Sequence, residues 1–325
     1  MEDVAAAAGV SRALVSLAYR NAHGVSDTTR DRILAVGEDL GYVPNRVAAR
    51  LASRETRSFG VFLQDLHNDL FADIHDGIRG VTDEHSRELV ITVGALDGTH
   101  DLRSLATLQE TRVAVIIAAG LTISDADALA QSKRTPMVAV ARHIPGVDSV
   151  TSDNLHGGLL ATEHLLELGH RSIAFLANPP SDGYLGRREG YEQAMHAAGL
   201  EPRTVPSTFS RLEVAATTVQ LLDASDAPTA IFAHNDVGAL GVLDALAARN
   251  LTPGVDVSVV GYDNSSVSSA PGTDLTTINL NGPMLGREGA LMAIQRAIDP
   301  EAEPMLITHL PELISRGTTG APRGV

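Results

Sequence analysis

Over the first sixty residues, small and apolar positions recur at helical spacing between polar breaks. The pattern predicts three helices and no strands: Glu2 to Ala8, Ser11 to Arg20 and Asp27 to Leu40. Gly9-Val10 and Asn21 to Ser26 separate them, giving a minimal all-α bundle. The run Gly41-Tyr42-Val43-Pro44 stops the third helix, because proline drives the residue before it out of helical dihedrals. Asn45 to Ser53 has the length for one more short helix, and Arg54 to Ser58 reads as a polar linker.

From Phe59 the pattern changes to short apolar runs spaced by amphipathic stretches. The runs are Phe59 to Leu63, Leu89 to Val93, Val113 to Ala118, Met137 to Val140, Ile173 to Leu176, Ala230 to Ala233 and Val257 to Tyr262. Helical segments such as Asp69 to His85, His156 to Leu168 and Val237 to Ala248 alternate with them, which predicts right-handed βαβ units and parallel sheets. About 270 residues is large for one such sheet. Two similar series of strands therefore predict an α/β core of two lobes with a cleft between.

Composition narrows the function. The chain has 325 residues and a net charge of −15, which at first argues against a polyanionic partner. The charge is unevenly placed: residues 1–57 carry eight Arg against seven acidic residues, and the remainder carries 17 basic against 33 acidic. The acid belongs to the core, so the N-terminal segment is the part that can approach phosphate. There is no cysteine, hence no disulfide framework and no thiolate metal site. No signal-peptide pattern and no apolar run of about 18 residues is present, so a soluble, cytoplasmic chain is expected.

The string Asp3 to Ser11, DVAAAAGVS, sets small side chains along a helix, a glycine turn, and a serine placed to cap the next helix. It is followed by Ser11 to Arg20, Val25-Ser26, Thr29-Arg30 and Leu40-Gly41-Tyr42-Val43-Pro44-Asn45-Arg46-Val47-Ala48. In order and spacing these closely resemble the lactose-repressor (LacI/GalR) family, from Asp3 to about Leu51 without a gap and more weakly through the core. The resemblance implies a helix-turn-helix headpiece at 1–44, a hinge helix and linker at 45–57, and an effector-binding core at 58–325 like periplasmic sugar-binding proteins. Its N-terminal lobe would take about 58–152 plus 283–310, and its C-terminal lobe about 153–282 plus 311–325.

In that family the second helix enters the major groove. The matching positions are Arg12, Ala13, Ser16, Leu17 and Arg20. Arg12 suits guanine O6 and N7, and Ala13 and Leu17 suit thymine methyls; Leu17 has packing within the bundle as its alternative. The family commonly has Thr, Arg and Asn where this chain has Leu14, Leu17 and Arg20, so its operator is expected to differ. The hinge residues Asn45, Arg46, Ala48 and Leu51 would enter the minor groove from paired helices of a homodimer, with Leu51 as the wedge that opens a base step. The customary capping threonine is absent; either Met1 is an internal start, or Glu2 and Asp3 supply the helix-end electrostatics instead.

Motif matches in the core are sparser. Asn68-Asp69-Leu70-Phe71 stands where the family has Asn-Pro-aromatic-aromatic, making Phe71 a stacking face. Arg187-Arg188-Glu189-Gly190-Tyr191 matches Arg-x-x-Gly-aromatic, with Arg187 the ligand arginine. His234-Asn235-Asp236 matches an Asn-Asp at a strand end, and Val259 to Asp263 the run whose Asp faces the cleft. Phe209 falls where relatives are aromatic, and Ala141-Arg142 departs from the frequent Asp-Arg. Independently of the family, Asn235 and Asp263 follow apolar runs, at the carboxyl ends of parallel strands where open α/β sheets bind ligands. An arginine, a carboxylate, an amide and an aromatic suit a hydroxylated ring. A sugar is the first choice, a purine the alternative, and a solute receptor without DNA function a third reading. No nucleotide, hydrolase or metalloprotease motif is present, so neither catalysis, metal nor cofactor is expected.

Overall fold

The computed structural model describes residues 1–19, 22–42, 58–179 and 183–323. The chain divides into two compact units, residues 1–56 and 57–325. Arg20 and the hinge residues Asn45, Arg46, Ala48 and Leu51 lie outside the described residues.

The first unit holds α1 (Glu2–Ala8), α2 (Arg12–Tyr19) and α3 (Asp27–Asp39). Gly9, at φ +64°, ends α1 in a left-handed turn, and the Ser11 hydroxyl accepts the Leu14 amide at 3.2 Å to start α2. Helix α1 has no side-chain cap; Glu2 and Asp3 occupy its first turn. Val4, Ala5, Ala8, Val15, Ala18 and Ile33 form the buried centre.

The second unit contains two six-stranded sheets. The first is built from β1 (Ser58–Leu63), β2 (Glu88–Val93), β3 (Ile116–Ala119), β4 (Met137–Val140), β5 (Asp148–Ser152) and β11 (Leu306–His309), in the order β11-β5-β4-β3-β1-β2, all parallel. Its helices are α4 (Asp69–Glu84), α5 (Asp101–Glu110), α6 (Asp125–Ser132) and α11 (Gly282–Ile298). The second sheet comprises β6 (Ile173–Ala177), β7 (Arg203–Pro206), β8 (Ala230–Ala233), β9 (Ser258–Asp263), β10 (Thr276–Asn279) and β12 (Glu312–Ile314), ordered β12-β10-β9-β8-β6-β7. Only β12 runs antiparallel, against β10. Helices α7 (Asn154–Glu167), α8 (Tyr184–Ala197), α9 (Arg211–Leu222) and α10 (Asp236–Ala248) complete the lobe, with a 3-10 turn at Ser266–Ser269. The chain crosses between the lobes three times, after β5, between β10 and α11, and between β11 and β12.

Central strands are buried along their whole length, as sheets covered on both faces require. Phe59, Val61 and Leu63 of β1 face one apolar cluster while Phe62 faces another, the alternation a pleated strand imposes. The strand expected at Val113 to Ala118 is shorter, because Val113 to Val115 form the approach to it. Even so, Ala114 N donates to Ser58 O, and Gly60 N to Val115 O. Hydropathy misses β5, whose sequence DSVTS is polar and yet fully buried. Its Asp148 is held by both guanidinium arms of Arg296, at 2.8 and 2.9 Å, and by the Met305 amide at 2.8 Å. An apolar search cannot find a strand whose burial depends on a charge partner 148 residues away.

Helices α7 and α8 cross closely because both carry glycine at the contact: a Cβ on Gly158 would strike the Arg187 carbonyl, and one on Gly190 the Leu155 carbonyl. That crossing fixes where the first turn of α8 stands. Gly→Ala inside a helix normally stabilises by up to about 1 kcal/mol. Here Gly190→Ala is expected to destabilise instead, by about 1–3 kcal/mol from overpacking, as a lowered melting temperature in scanning calorimetry.

Candidate functional site

Between the lobes lies a cavity of about 560 Å³, and Phe71, Arg187, Phe209, Asn235 and Asp263 all line it. The topology explains the convergence. Gln64 follows β1, Ala141 follows β4, Ser152 ends β5, His234 and Asn235 follow β8, and Asp263 ends β9. All sit at carboxyl ends of parallel strands, where loops from both sheets meet. Phe71 comes from the first turn of α4, Arg187 from that of α8, and Phe209 from the segment before α9.

Arg187 is the most constrained of them. Its Nε donates to Asn154 Oδ1 at 3.0 Å, one terminal nitrogen donates to the His234 carbonyl at 2.7 Å, and the other stands 3.7 Å from Asp263 Oδ1. The guanidinium lies over the Tyr262 ring, 3.8 Å from its centroid. Asp263 is 2% exposed, with φ at +111°, followed by Asn264 at +51°. Such backbone is sparsely populated for residues with a side chain and aims the carboxylate off the strand axis. Its Oδ2 accepts from Asn68 Nδ2 at 3.3 Å across the cleft, and among the described residues Oδ1 has no hydrogen-bond partner. Burial pushes the Asp263 carboxyl above its usual range, against the pull of Arg187. Asp236 behind it is also raised, by burial and then by Asp263. It accepts from Ser265 N at 2.8 Å, Ser265 Oγ at 2.9 Å and Thr277 Oγ1 at 2.6 Å, and so anchors the loop that carries Asp263.

Asn235 has two duties. Its side-chain oxygen caps α10 by accepting the Gly238 amide at 2.9 Å, while the residue still borders the cavity. Ala141, at φ +61°, lines the cavity too, whereas Arg142 turns away to the carbonyls of Leu121 and Ile123 and to Asp125.

Sequence reasoning missed Gln64, Ser152 and Asn154, and met Asn68 and His234 only as motif neighbours of Phe71 and Asn235. Gln64 Nε2, Ser152 Oγ, His234 Nδ1 and Asp263 Oδ1 are buried and have no hydrogen-bond partner among the described residues. Burial first, and Arg187 second, hold the His234 imidazole well below the ordinary histidine range, so it is neutral. The one signal available for Gln64 and His234 was position, immediately after an apolar strand.

In the headpiece, Arg12 and Ala13 are exposed and Ser16 and Leu17 half-buried, so they form one face of α2. Leu14 packs against the headpiece centre, and Leu17 is half-buried. Arg12 makes one exposed contact, 3.4 Å to Glu2.

A helix-turn-helix unit with an open second helix, attached to a two-lobed core with a polar cleft, defines a DNA-binding regulator with a sensing domain. Residues 1–45 match the family model of bacterial regulatory proteins, lacI family, and residues 162–319 match the periplasmic binding protein-like domain. The chain is 30% identical to the HTH-type transcriptional regulator DegA of Bacillus subtilis (strain 168), over 98% of this chain and 97% of that one. The structure of the lac repressor dimer bound to operator and the anti-inducer ONPF is similar at a TM-score of 0.83 and 29% identity, covering 98% of both chains. That of the transcriptional regulator CelR–cellobiose complex is similar at 0.72 and 29%, again over 98% of both. This chain belongs to the lacI family of bacterial regulatory proteins.

Arg187→Met would leave a buried carboxylate without its cation. A loss of about 3–5 kcal/mol is expected near neutral pH. Without Arg187 the folded-state pKa of Asp263 rises further above its unfolded value, so the deficit exists above that pKa and is relieved as pH falls and the carboxyl takes up a proton. Urea melts of both proteins at about pH 7.5 and about pH 5.5 would show the gap narrowing; a constant gap contradicts the pairing.

Proposed function

We propose that this protein is a sequence-specific transcriptional repressor that binds a palindromic operator as a homodimer in the cytoplasm and is controlled by a small hydroxylated effector, a sugar in the first instance, bound between the core lobes. The observation that carries the reading is the combination in one chain of an open α2 face bearing Arg12 with an interlobe cleft holding buried, unpartnered polar atoms. The described residues include no helix long and apolar enough to cross a membrane, in keeping with a protein that acts on DNA. No cofactor or metal enters the mechanism, and the cleft groups bind a ligand without transforming it.

Arg12, Ala13, Ser16 and Leu17, with Arg20 beyond them, read the major groove, and Asn45, Arg46, Ala48 and Leu51 the minor groove. Arg187, Asn235 and Asp263 hold the effector's polar edge, and Phe71 and Phe209 its ring faces. Binding shifts the balance between two arrangements of the lobes by no more than the ligand's differential affinity for them, and the hinge relays that shift to the headpieces. A purine base fits the same donor and acceptor set and is the second candidate.

With an operator selected from random duplexes by the full-length protein, Arg12→Ala should weaken specific binding about 10- to 100-fold and relax preference at one base pair, leaving non-specific affinity nearly intact. Leu51→Ala should weaken the same complex without lowering the melting temperature. Fluorescence anisotropy reads both, and unchanged operator affinity in either variant removes that residue from the interface. Asp263→Asn should abolish the effector's influence on DNA binding while the DNA complex survives; a variant that still responds refutes the cleft as the sensing site.

A further inference from the structure

We propose that Arg316 is a positioning residue of the sensing site: from the segment that follows β12 it holds Asp263 in place, and with it two polar contacts that join the lobes. The inference rests on the cleft being the effector site and adds a residue that acts there without lining the cavity.

The loop after β9 begins in backbone that side chains disfavour. Asp263 and Asn264, at φ +111° and +51°, are consecutive residues at positive φ, and such a pair persists only where its surroundings over-determine it. The half-buried Arg316 supplies part of that determination. One terminal nitrogen donates to the Leu275 carbonyl at 2.6 Å and to Ser268 Oγ at 3.2 Å, and the other donates to Asn264 Oδ1 at 2.7 Å. All three acceptors are uncharged. They stand at the start of the loop, in its 3-10 turn and immediately before β10. Ser268 Oγ in turn donates to Asn264 Oδ1 at 3.1 Å, which closes the set. A planar guanidinium fixes the angles between its donors and so sets the spacing of three points at once, which an ammonium on a flexible stem cannot do.

The loop held in this way has two roles. Asp263 and Val267 line the cavity. Asp263 Oδ2 also accepts from Asn68 at 3.3 Å, and the Ser266 amide donates to Asp73 at 3.1 Å, both partners belonging to the first lobe. Asp263 is the neighbour of Asn264 in the chain, and Ser266 lies midway between Asn264 and Ser268, so the anchors of Arg316 bracket both contacts. The segment that carries the arginine is seated without its side chain. Arg316 N donates to Thr276 Oγ1 at 2.9 Å, Val259 N to the Thr318 carbonyl at 2.8 Å, and Thr318 Oγ1 to the Val259 carbonyl at 2.8 Å. Gly320 N donates to Ser258 Oγ at 3.0 Å, and the Gly320 carbonyl lies 2.9 Å from Nε2 of the buried His170 ring. Removing the guanidinium therefore releases the loop and leaves the sheet and the C-terminal segment in place.

The test uses the full-length protein without any effector. The chain has no cysteine, so Leu66→Cys and Leu212→Cys, at exposed positions in opposite lobes, give one spin-label pair per protomer, diluted with unlabelled protein. Hydrogen exchange reads the loop, double electron–electron resonance the distance between lobes, and fluorescence anisotropy the affinity for the selected operator. Arg316→Met should speed exchange of the amides from Asn264 to Ser268 about tenfold or more, with β9 unchanged. It should also broaden the label distance and change operator affinity about fivefold or more. Arg316→Lys should behave as Arg316→Met does, since charge without the fork does not hold three points. Asn264→Ala, which removes the amide oxygen and disfavours positive φ, should reproduce the effect with the arginine intact. Adding Asn264→Gly to Arg316→Met should bring exchange and label distance back toward wild type, because glycine takes positive φ without strain. An arginine that only stabilises the fold would lower the melting temperature and gain nothing from that glycine. Wild-type exchange in Arg316→Met, wild-type behaviour of Arg316→Lys, or no rescue by Asn264→Gly overturns the proposal. If exchange and label distance change while operator affinity does not, the positioning role stands, and the relay from cleft to headpieces is what fails.

Discussion

The buried guanidinium of Arg187 is the constraint on which the cleft depends. A charge of that size is tolerated at 7% exposure only because every face of it is used: an amide oxygen, a backbone carbonyl, a carboxylate and an aromatic ring. Those partners come from the start of α7, the end of β8 and the end of β9, so one side chain fixes the relative heights of three loops. The glycine crossing of α7 and α8 lets the arginine reach them. Its field adds to the burial that keeps His234 neutral, and it holds down an Asp263 carboxyl that burial alone would raise further.

The loop after β9 joins the wall of the cavity to the other lobe. Asp263 borders the cavity, and Ser266, three residues on, donates its amide to Asp73 of α4 across the lobe boundary at 3.1 Å. Asn68, which caps α4 through its oxygen, gives its amide nitrogen to Asp263. A group that engages Asp263 therefore competes with a contact between the lobes. Behind the loop, Asp236 bonds Ser265 and Thr277, and Arg316 bonds Asn264 at 2.7 Å. On the proposed reading, binding and lobe arrangement would draw on the same few hydrogen bonds, as a population shift requires.

Local signals carried much of the outcome. The helices of the headpiece were legible because small residues, a glycine turn and a capping serine act over three or four residues. The buried strands β1, β4, β6 and β8 were legible because an apolar run between polar turns has few other ways to satisfy itself. Asn235 and Asp263 could be placed at strand ends by position alone, and Arg187, Phe71 and Phe209 through resemblance. The polar strands β5 and β10 were not legible: Asp148 is buried by virtue of Arg296, and Thr276 and Thr277 by bonds to Thr318 and Asp236.

By itself, the sequence determined the class of each segment, the boundary between an Arg-bearing headpiece and an acidic core, and the residue types available for recognition, since these follow from local periodicity and composition. Only the tertiary structure decided which polar atoms are satisfied within the protein and which, among the described residues, are not. Gln64, Ser152 and His234 look ordinary along the chain. Their meaning comes from strands far apart in the chain ending at one cleft, and hydrogen-bond accounting can be closed only when every neighbour in space is known.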